Sequence, residues 1–145
     1  MLARFEESGL SGRITAFESS AGELLVTWLT PLLREYETVE QLREAGAESI
    51  QGEEPDATRR RLKSHQDALG ERVCALWPFD AFAVEIGLHA FADHFDDLWY
   101  PGAEDVWLFS PRRARFLTIN HEELVLYLDL DGPTRWPVWQ PRRVS

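Results

Sequence analysis

The chain contains 145 residues, of which 15 are basic and 25 acidic, so its formal net charge is −10 at neutral pH. That charge argues against binding to nucleic acid or to anionic membranes, because both repel a negative surface at long range. A single cysteine excludes a disulfide framework, and no apolar run approaches the roughly 20 residues that cross a bilayer. We therefore expect one cytoplasmic globular domain spanning residues 1–145.

Helices are predicted for most of the first half of the chain. The segment "RITAFES" fits either a short strand or the approach to a helix, and both alternatives stay open. From Gly22 to Tyr36 apolar residues recur at helical spacing, which predicts a helix with one face in the core. Pro31 is expected to kink this helix or to begin a second one.

Capping patterns predict two further helices. Thr38 followed by Gln41 forms a capping box, and Gly46 is a stop signal for the short helix that follows Thr38. Asp56 is the predicted N-cap of a longer helix that ends before Pro78. The seam of that helix is heptad-like and consists of Leu62, Leu69, Val73 and Leu76.

Strands are predicted beyond Pro78. The alternation from Phe82 to Leu88 is typical of a half-buried strand, with a helix from Asp80 as the alternative. The segments "EDVWLF", "RARFLTIN" and "ELVLYLDL" predict three more strands, whose short connections favour an antiparallel meander with its leucine face on the helices. The predicted fold class is α+β, with a helical N-terminal half packed on a C-terminal antiparallel β-meander of three to four strands.

The stretch "LHAFADHFDDLWYPGAEDVWLF", Leu88 to Phe109, contains two histidines, five carboxylates and two tryptophans. On a helical wheel its apolar residues up to Trp99 fall within one arc of about 120°, which predicts a core-facing side. Opposite them lie His89, Asp93, Asp96 and Asp97. This pattern predicts an amphipathic helix with a solvated acidic face.

Catalytic and cofactor motifs do not stand out in the sequence. There is no H-E-x-x-H, no pair of C-x-x-C knuckles, no nucleophile elbow and no glycine-rich phosphate loop, so we expect no cofactor. The enzymatic alternative is a metal-assisted hydrolase that uses His89, Asp93 and Asp97, because imidazole and carboxylate ligands one turn apart can share an ion.

A non-enzymatic binding protein is the favoured hypothesis. No basic residue occurs between positions 85 and 105, so the carboxylates there are expected to form a negative patch that attracts a basic protein. Aromatic residues beside charges are typical of interface anchors. The predicted partner-binding residues are Asp93, Asp96, Asp97, Tyr100, Glu104, Asp105 and Trp107. Self-association into a homo-oligomer is a further alternative.

The general character of the chain also points to binding. In size, acidity, cysteine usage and α+β pattern it resembles bacterial immunity proteins that inactivate toxins, although no specific motif carries this resemblance. It implies that the partner is a toxin. The final segment "PTRWPVWQPRRVS" is predicted to be extended, with Trp136 and Trp139 either closing the core or belonging to an arm that docks a partner.

Overall fold

The computed structural model describes residues 1–110 and 112–130. Within these ranges the helices are α1 (Leu2–Glu7), α2 (Ser19–Leu29), α3 (Val39–Glu44), α4 (Pro55–Lys63), α5 (Gln66–Leu69), α6 (Leu88–Asp93) and α7 (Phe95–Leu98). Short 3₁₀ turns lie at Ser11–Arg13 and Arg34–Tyr36. The strands are β1 (Ile14–Ala16), β2 (Glu48–Ser49), β3 (Arg72–Trp77), β4 (Phe82–Gly87), β5 (Val106–Phe109), β6 (Arg115–Ile119) and β7 (Leu124–Asp129).

All of these strands form one antiparallel sheet with the order β1-β4-β3-β5-β6-β7-β2. The α+β class and the β5–β6–β7 meander are therefore confirmed, as is the strand at Phe82–Gly87. The open choice at "RITAFES" resolves into both elements, because β1 is followed directly by α2. Within the described ranges the sheet has seven strands rather than three to four, since three strands also lie in the half of the chain that was predicted to be helical.

Helices cover both faces of the sheet. The first core, on the face of α1, α4, α5, α6 and α7, contains Phe5, Leu62, Trp77, Phe91 and Leu98. The second core, on the face of α2 and α3, contains Leu25, Leu42, Phe116 and the leucines of β7. The leucine face of β7 therefore packs on helices as predicted, but its opposite face is covered as well: Val125 is buried in the first core.

The helix predicted from Asp56 to Trp77 is wrong in its second half. Helix α4 ends at Lys63, α5 ends at Leu69, and Gly70 adopts φ 96° before the chain enters β3. Because both faces of the sheet are covered, β3 is buried on both sides and its apolar residues run continuously instead of alternating. That run fits a heptad seam equally well, which explains the error. The N-cap of α4 is Glu54, and Asp56 lies in its first turn.

Local signals at other helix ends are confirmed. Thr38 accepts a hydrogen bond from the backbone N–H of Gln41, whose side chain accepts one from Thr38 N–H. Gly46 follows α3 with φ 98°, a conformation that favours glycine. The helix predicted to continue to Tyr36 is wrong beyond Leu29, where α2 ends: Pro31 neither kinks it nor begins a second α-helix, and within the predicted span only the 3₁₀ turn at Arg34–Tyr36 follows.

Helix α2 approaches the turn between β3 and β4 at Gly22. A Cβ atom built on Gly22 would lie 1.8 Å from the carbonyl oxygen of Ala81 and 2.8 Å from its carbonyl carbon. Only glycine fits this contact, since a Cβ at those distances would overlap backbone atoms. Gly22 therefore sets how closely α2 can pack beside β4.

Two sequence expectations concern membrane spans and the C-terminal segment. Among residues 1–110 and 112–130, no helix has the length and apolarity needed to cross a membrane. The predicted extended segment with Trp136 and Trp139 lies outside the described residues.

Candidate functional site

The predicted amphipathic helix between Leu88 and Trp99 is present with one interruption. His94 has φ −119° and ψ 16° and separates α6 from α7. The apolar side of both helices is buried as the wheel predicts, and Trp99 is 3% exposed with its indole N–H donating to the carbonyl of Glu104 at 2.8 Å. His89, Asp93, Asp96 and Asp97 are exposed.

Basic residues of α4 lie beside this acidic face. Lys63 Nζ is 2.5 Å from Asp93 Oδ1, and Arg59 contacts Asp96 at 3.2 Å. The hydrogen bond from Lys63 lowers the pKa of Asp93, with a further Coulombic contribution from the same ammonium group. Asp97 forms no ion pair among the described residues. The local sequence without basic residues therefore does not give a purely negative surface, because α4 brings cations from more than 25 positions away.

Glu104 is buried and belongs to an internal ion pair. Its carboxylate accepts two hydrogen bonds from the Arg4 guanidinium, at 2.7 and 2.9 Å, and one from the backbone N–H of Tyr100 at 3.1 Å. Arg4 also donates to the carbonyl of Leu98 and lies 3.9 Å over the Tyr100 ring. This cluster joins α1 to the loop after α7. The carboxylate of Glu104 is thus already satisfied within the protein.

Asp105 and Trp107 lie at the start of β5, away from the acidic helices. Asp105 Oδ1 accepts the backbone N–H of His121 at 2.8 Å and is 2.8 Å from Nδ1 of its ring. Trp107 is half-buried against the second core, whereas α6 and α7 pack on the first. The sheet therefore separates Trp107 from Asp93, Asp96 and Asp97, and the predicted site residues do not share one face.

The geometry also bears on the metal-assisted alternative. Within residues 1–110 and 112–130, no group of three His, Cys, Asp or Glu side chains is placed to hold a metal ion. His89 and Asp97 are exposed, and Asp93 is bonded to Lys63. The metal-assisted hydrolase that uses these three residues stays a prediction.

A second charged surface, which the sequence analysis missed, surrounds α2 and α3. We call it the α2–α3 surface and define it by the exposed residues between Glu23 and Glu44. It presents three large apolar side chains to solvent, namely Leu24 (38% exposed), Trp28 (40%) and Leu32 (45%). Its exposed charges are five carboxylates, Glu23, Glu35, Glu37, Glu40 and Glu44, and two arginines, Arg34 and Arg43. None of these seven groups is ion-paired with a described residue.

No protein-family model, no curated protein and no solved structure matches this chain. A functional assignment must therefore rest on the surfaces themselves. Of the two acidic surfaces, one is largely balanced by internal cations, and the other combines unpaired carboxylates with an exposed tryptophan. The sequence contained one signal for the α2–α3 surface: Leu24 and Trp28 are four positions apart, which places two large apolar side chains one turn apart and outside the buried stripe of α2.

Proposed function

We propose that this chain is a small, acidic, non-enzymatic binding protein of the cytoplasm, and that its partner is a basic protein bound at the α2–α3 surface. The observation that carries the proposal is the coincidence, on one side of the molecule, of unpaired carboxylates with Leu24, Trp28 and Leu32 exposed. Exposed apolar residues rimmed by charge are typical of protein-binding sites.

The two kinds of residue have different roles in this proposal. The carboxylates attract the partner at long range and raise the association rate, an effect that salt screens within a Debye length of about 8 Å at physiological ionic strength. Trp28 and its apolar neighbours supply the contact area that is desolvated in the complex, which mainly slows dissociation. Removing carboxylates should therefore change the salt dependence of the association rate, and removing the Trp28 side chain should shorten the lifetime of the complex.

The α6–α7 face is less suited to the same role. Asp93 and Asp96 would have to exchange Lys63 and Arg59 for cations of the partner, so the net gain on binding is small. Breaking a pair on the protein to form a pair with the partner leaves the number of ion pairs unchanged.

The test compares two triple variants that each neutralise three carboxylates. Glu35→Gln/Glu37→Gln/Glu40→Gln changes the α2–α3 surface, and Asp93→Asn/Asp96→Asn/Asp97→Asn is the matched control on α6 and α7. Native mass spectrometry of the protein recovered from its host at low salt identifies stoichiometric partners and registers homo-oligomers. The partner is then purified and titrated against each variant at several salt concentrations.

The proposal predicts a basic partner whose affinity falls at least tenfold with the α2–α3 variant and less than threefold with the control. Trp28→Ala should increase the dissociation rate more than either triple variant does, and the Asp93, Asp96 and Asp97 variant should keep the wild-type dissociation rate. If only the Asp93, Asp96 and Asp97 variant weakens binding, the partner occupies the acidic helices instead. A protein recovered free of any protein partner contradicts the proposed function.

A further inference from the structure

A cavity of about 380 Å³ opens between α2, α3 and the adjacent end of the sheet. Its lining includes the apolar residues Val26, Leu33 and Leu42 of the α2–α3 layer and the aromatic residues Tyr36, Phe79 and Trp107. Phe79 lies in the β3–β4 turn and is 65% exposed, the highest value among the large apolar residues that the structure describes. The cavity is large enough for one long side chain.

The polar groups of the cavity are mainly acidic or neutral. Glu37 and Asp105 line it together with Thr118, Asn120 and His121, and no lysine or arginine is among the described lining residues. Oδ1 of Asp105 is occupied by the backbone and ring of His121, whereas Oδ2 forms no hydrogen bond with the described residues. Glu37 forms no ion pair with them. Two carboxylates thus line a cavity that also contains aromatic residues, and the one basic side chain among its described lining residues is His121, which contacts Asp105.

The protein itself shows which side chain such a combination holds. Around Arg4, one aromatic ring and one carboxylate bind a guanidinium group, with Tyr100 stacked at 3.9 Å and Glu104 bonded through both oxygens. A guanidinium is planar, stacks on aromatic faces and forms paired hydrogen bonds with a carboxylate. The cavity offers the same two partners, aromatic and acidic, between α2, α3 and the adjacent end of the sheet.

We propose that this cavity receives an arginine side chain of the basic partner. The inference rests on the proposed function and specifies the residue that anchors the partner. The guanidinium lies against Trp107 or Tyr36 and bonds to Asp105 and Glu37, while its methylene groups contact Val26 and Leu33. Arginine fits better than lysine because an ammonium group is compact, strongly hydrated and unable to stack through a planar face.

The test uses arginine amide as the probe and the full chain. The indole N–H signal of Trp107 in an NMR correlation spectrum, assigned with Trp107→Phe, reports on the cavity. We expect the Trp107 signal to shift in a saturable way with a dissociation constant in the millimolar range, because so small a ligand binds weakly. Lysine amide should bind at least fivefold more weakly, and leucine amide should cause no saturable shift.

Matched variants locate the binding groups. Glu37→Gln should weaken arginine amide binding at least threefold, and Glu40→Gln, which removes an exposed carboxylate from the same segment outside the cavity, should leave it unchanged. Asp105→Asn gives the second charge deletion, and an unchanged amide spectrum elsewhere shows that the fold is retained. If Glu37→Gln, Glu40→Gln and Asp105→Asn all bind arginine amide as tightly as the wild type, the inference is overturned.

Two further outcomes separate this inference from the proposed function. If the purified partner binds but arginine amide does not shift Trp107, the anchor is wrong and the binding function stands. If arginine amide binds only after Arg135, Arg142 and Arg143 are replaced by glutamine, the chain's own C-terminal segment is the occupant, which overturns the partner anchor. If the amide binds and no partner is recovered, the proposed function fails although the cavity recognises guanidinium.

Discussion

The close approach of α2 to the β3–β4 turn makes Gly22 the most sensitive position for a small substitution. In an isolated helix, replacing glycine by alanine stabilises by about 1 kcal/mol. In this protein, Gly22→Ala places a methyl group 1.8 Å from the carbonyl oxygen of Ala81, whereas an ordinary carbon–oxygen contact is about 3.3 Å. The backbones must therefore separate by about 1.5 Å, since neither contacting atom belongs to a movable side chain.

The expected size of the effect follows from two opposing contributions. Overpacking destabilises by typically 1–3 kcal/mol, and we take about 3 kcal/mol because backbone must move and the second core opens with it. Subtracting the propensity gain of about 1 kcal/mol leaves a net loss of about 2 kcal/mol. For a chain of this length, that loss corresponds to a melting temperature lower by roughly 4–8 °C.

Urea unfolding followed by circular dichroism measures this loss in Gly22→Ala. The matched control is Gly12→Ala, because a Cβ on Gly12 meets nothing within 4 Å. The control should be as stable as the wild type or gain up to about 1 kcal/mol. A Gly22→Ala protein that equals the control would refute the argument that this glycine is required by contact with Ala81.

Two other predictions concern titratable groups. Glu104→Gln should lower the free energy of unfolding, measured in urea, by about 2 kcal/mol, because it leaves the Arg4 side chain, only 18% exposed, without its counter-charge. The control Glu7→Gln, on the exposed surface of α1, should change the free energy of unfolding by less than about 0.5 kcal/mol. Equal effects of the two substitutions would show that the Arg4–Glu104 pair contributes little to stability. Burial, together with the charge of Arg61, lowers the pKa of His65, so the folded protein holds this proton less tightly than the unfolded chain does. Its contribution to stability is complete above the unfolded pKa of about 6.5 and is lost as pH falls toward the lowered value. Between pH 7.5 and 5.5 the wild type should therefore lose more unfolding free energy than His65→Gln, and parallel losses in both proteins would contradict this assignment.

Local sequence signals predicted much of the fold. The capping box at Thr38, the alternation in β4 and the meander after Asp105 each depend on neighbours within a few positions, so the sequence contains them in full. Strand β3 was missed because a strand covered on both faces loses its alternation. Its pairing with β5, more than 30 residues away, leaves no local trace.

The acidic site predicted between Asp93 and Asp105 does not form as expected, because several of its charges are balanced by distant residues. Arg4 and Glu104 are separated by 100 positions, and Lys63 reaches Asp93 from another helix. A run of carboxylates in sequence therefore says little about net surface charge. In contrast, the separation of Trp107 from the acidic helices could have been inferred from the sequence, since side chains alternate along β5 and Trp107 and Leu108 therefore lie on opposite faces of the sheet.

The strand order has a consequence for synthesis of the protein on the ribosome. Among the described strands, the first two to emerge are β1 and β2, which become the two edges of the sheet, and their partners are β4 and β7. At about 5–20 residues per second, β2 waits several seconds before Leu124 and Val125 are made. Helix α2 likewise emerges before any strand that it covers. The native sheet can therefore close only after β7 has been made, and until then the nascent chain exposes the apolar residues of α2 to chaperones.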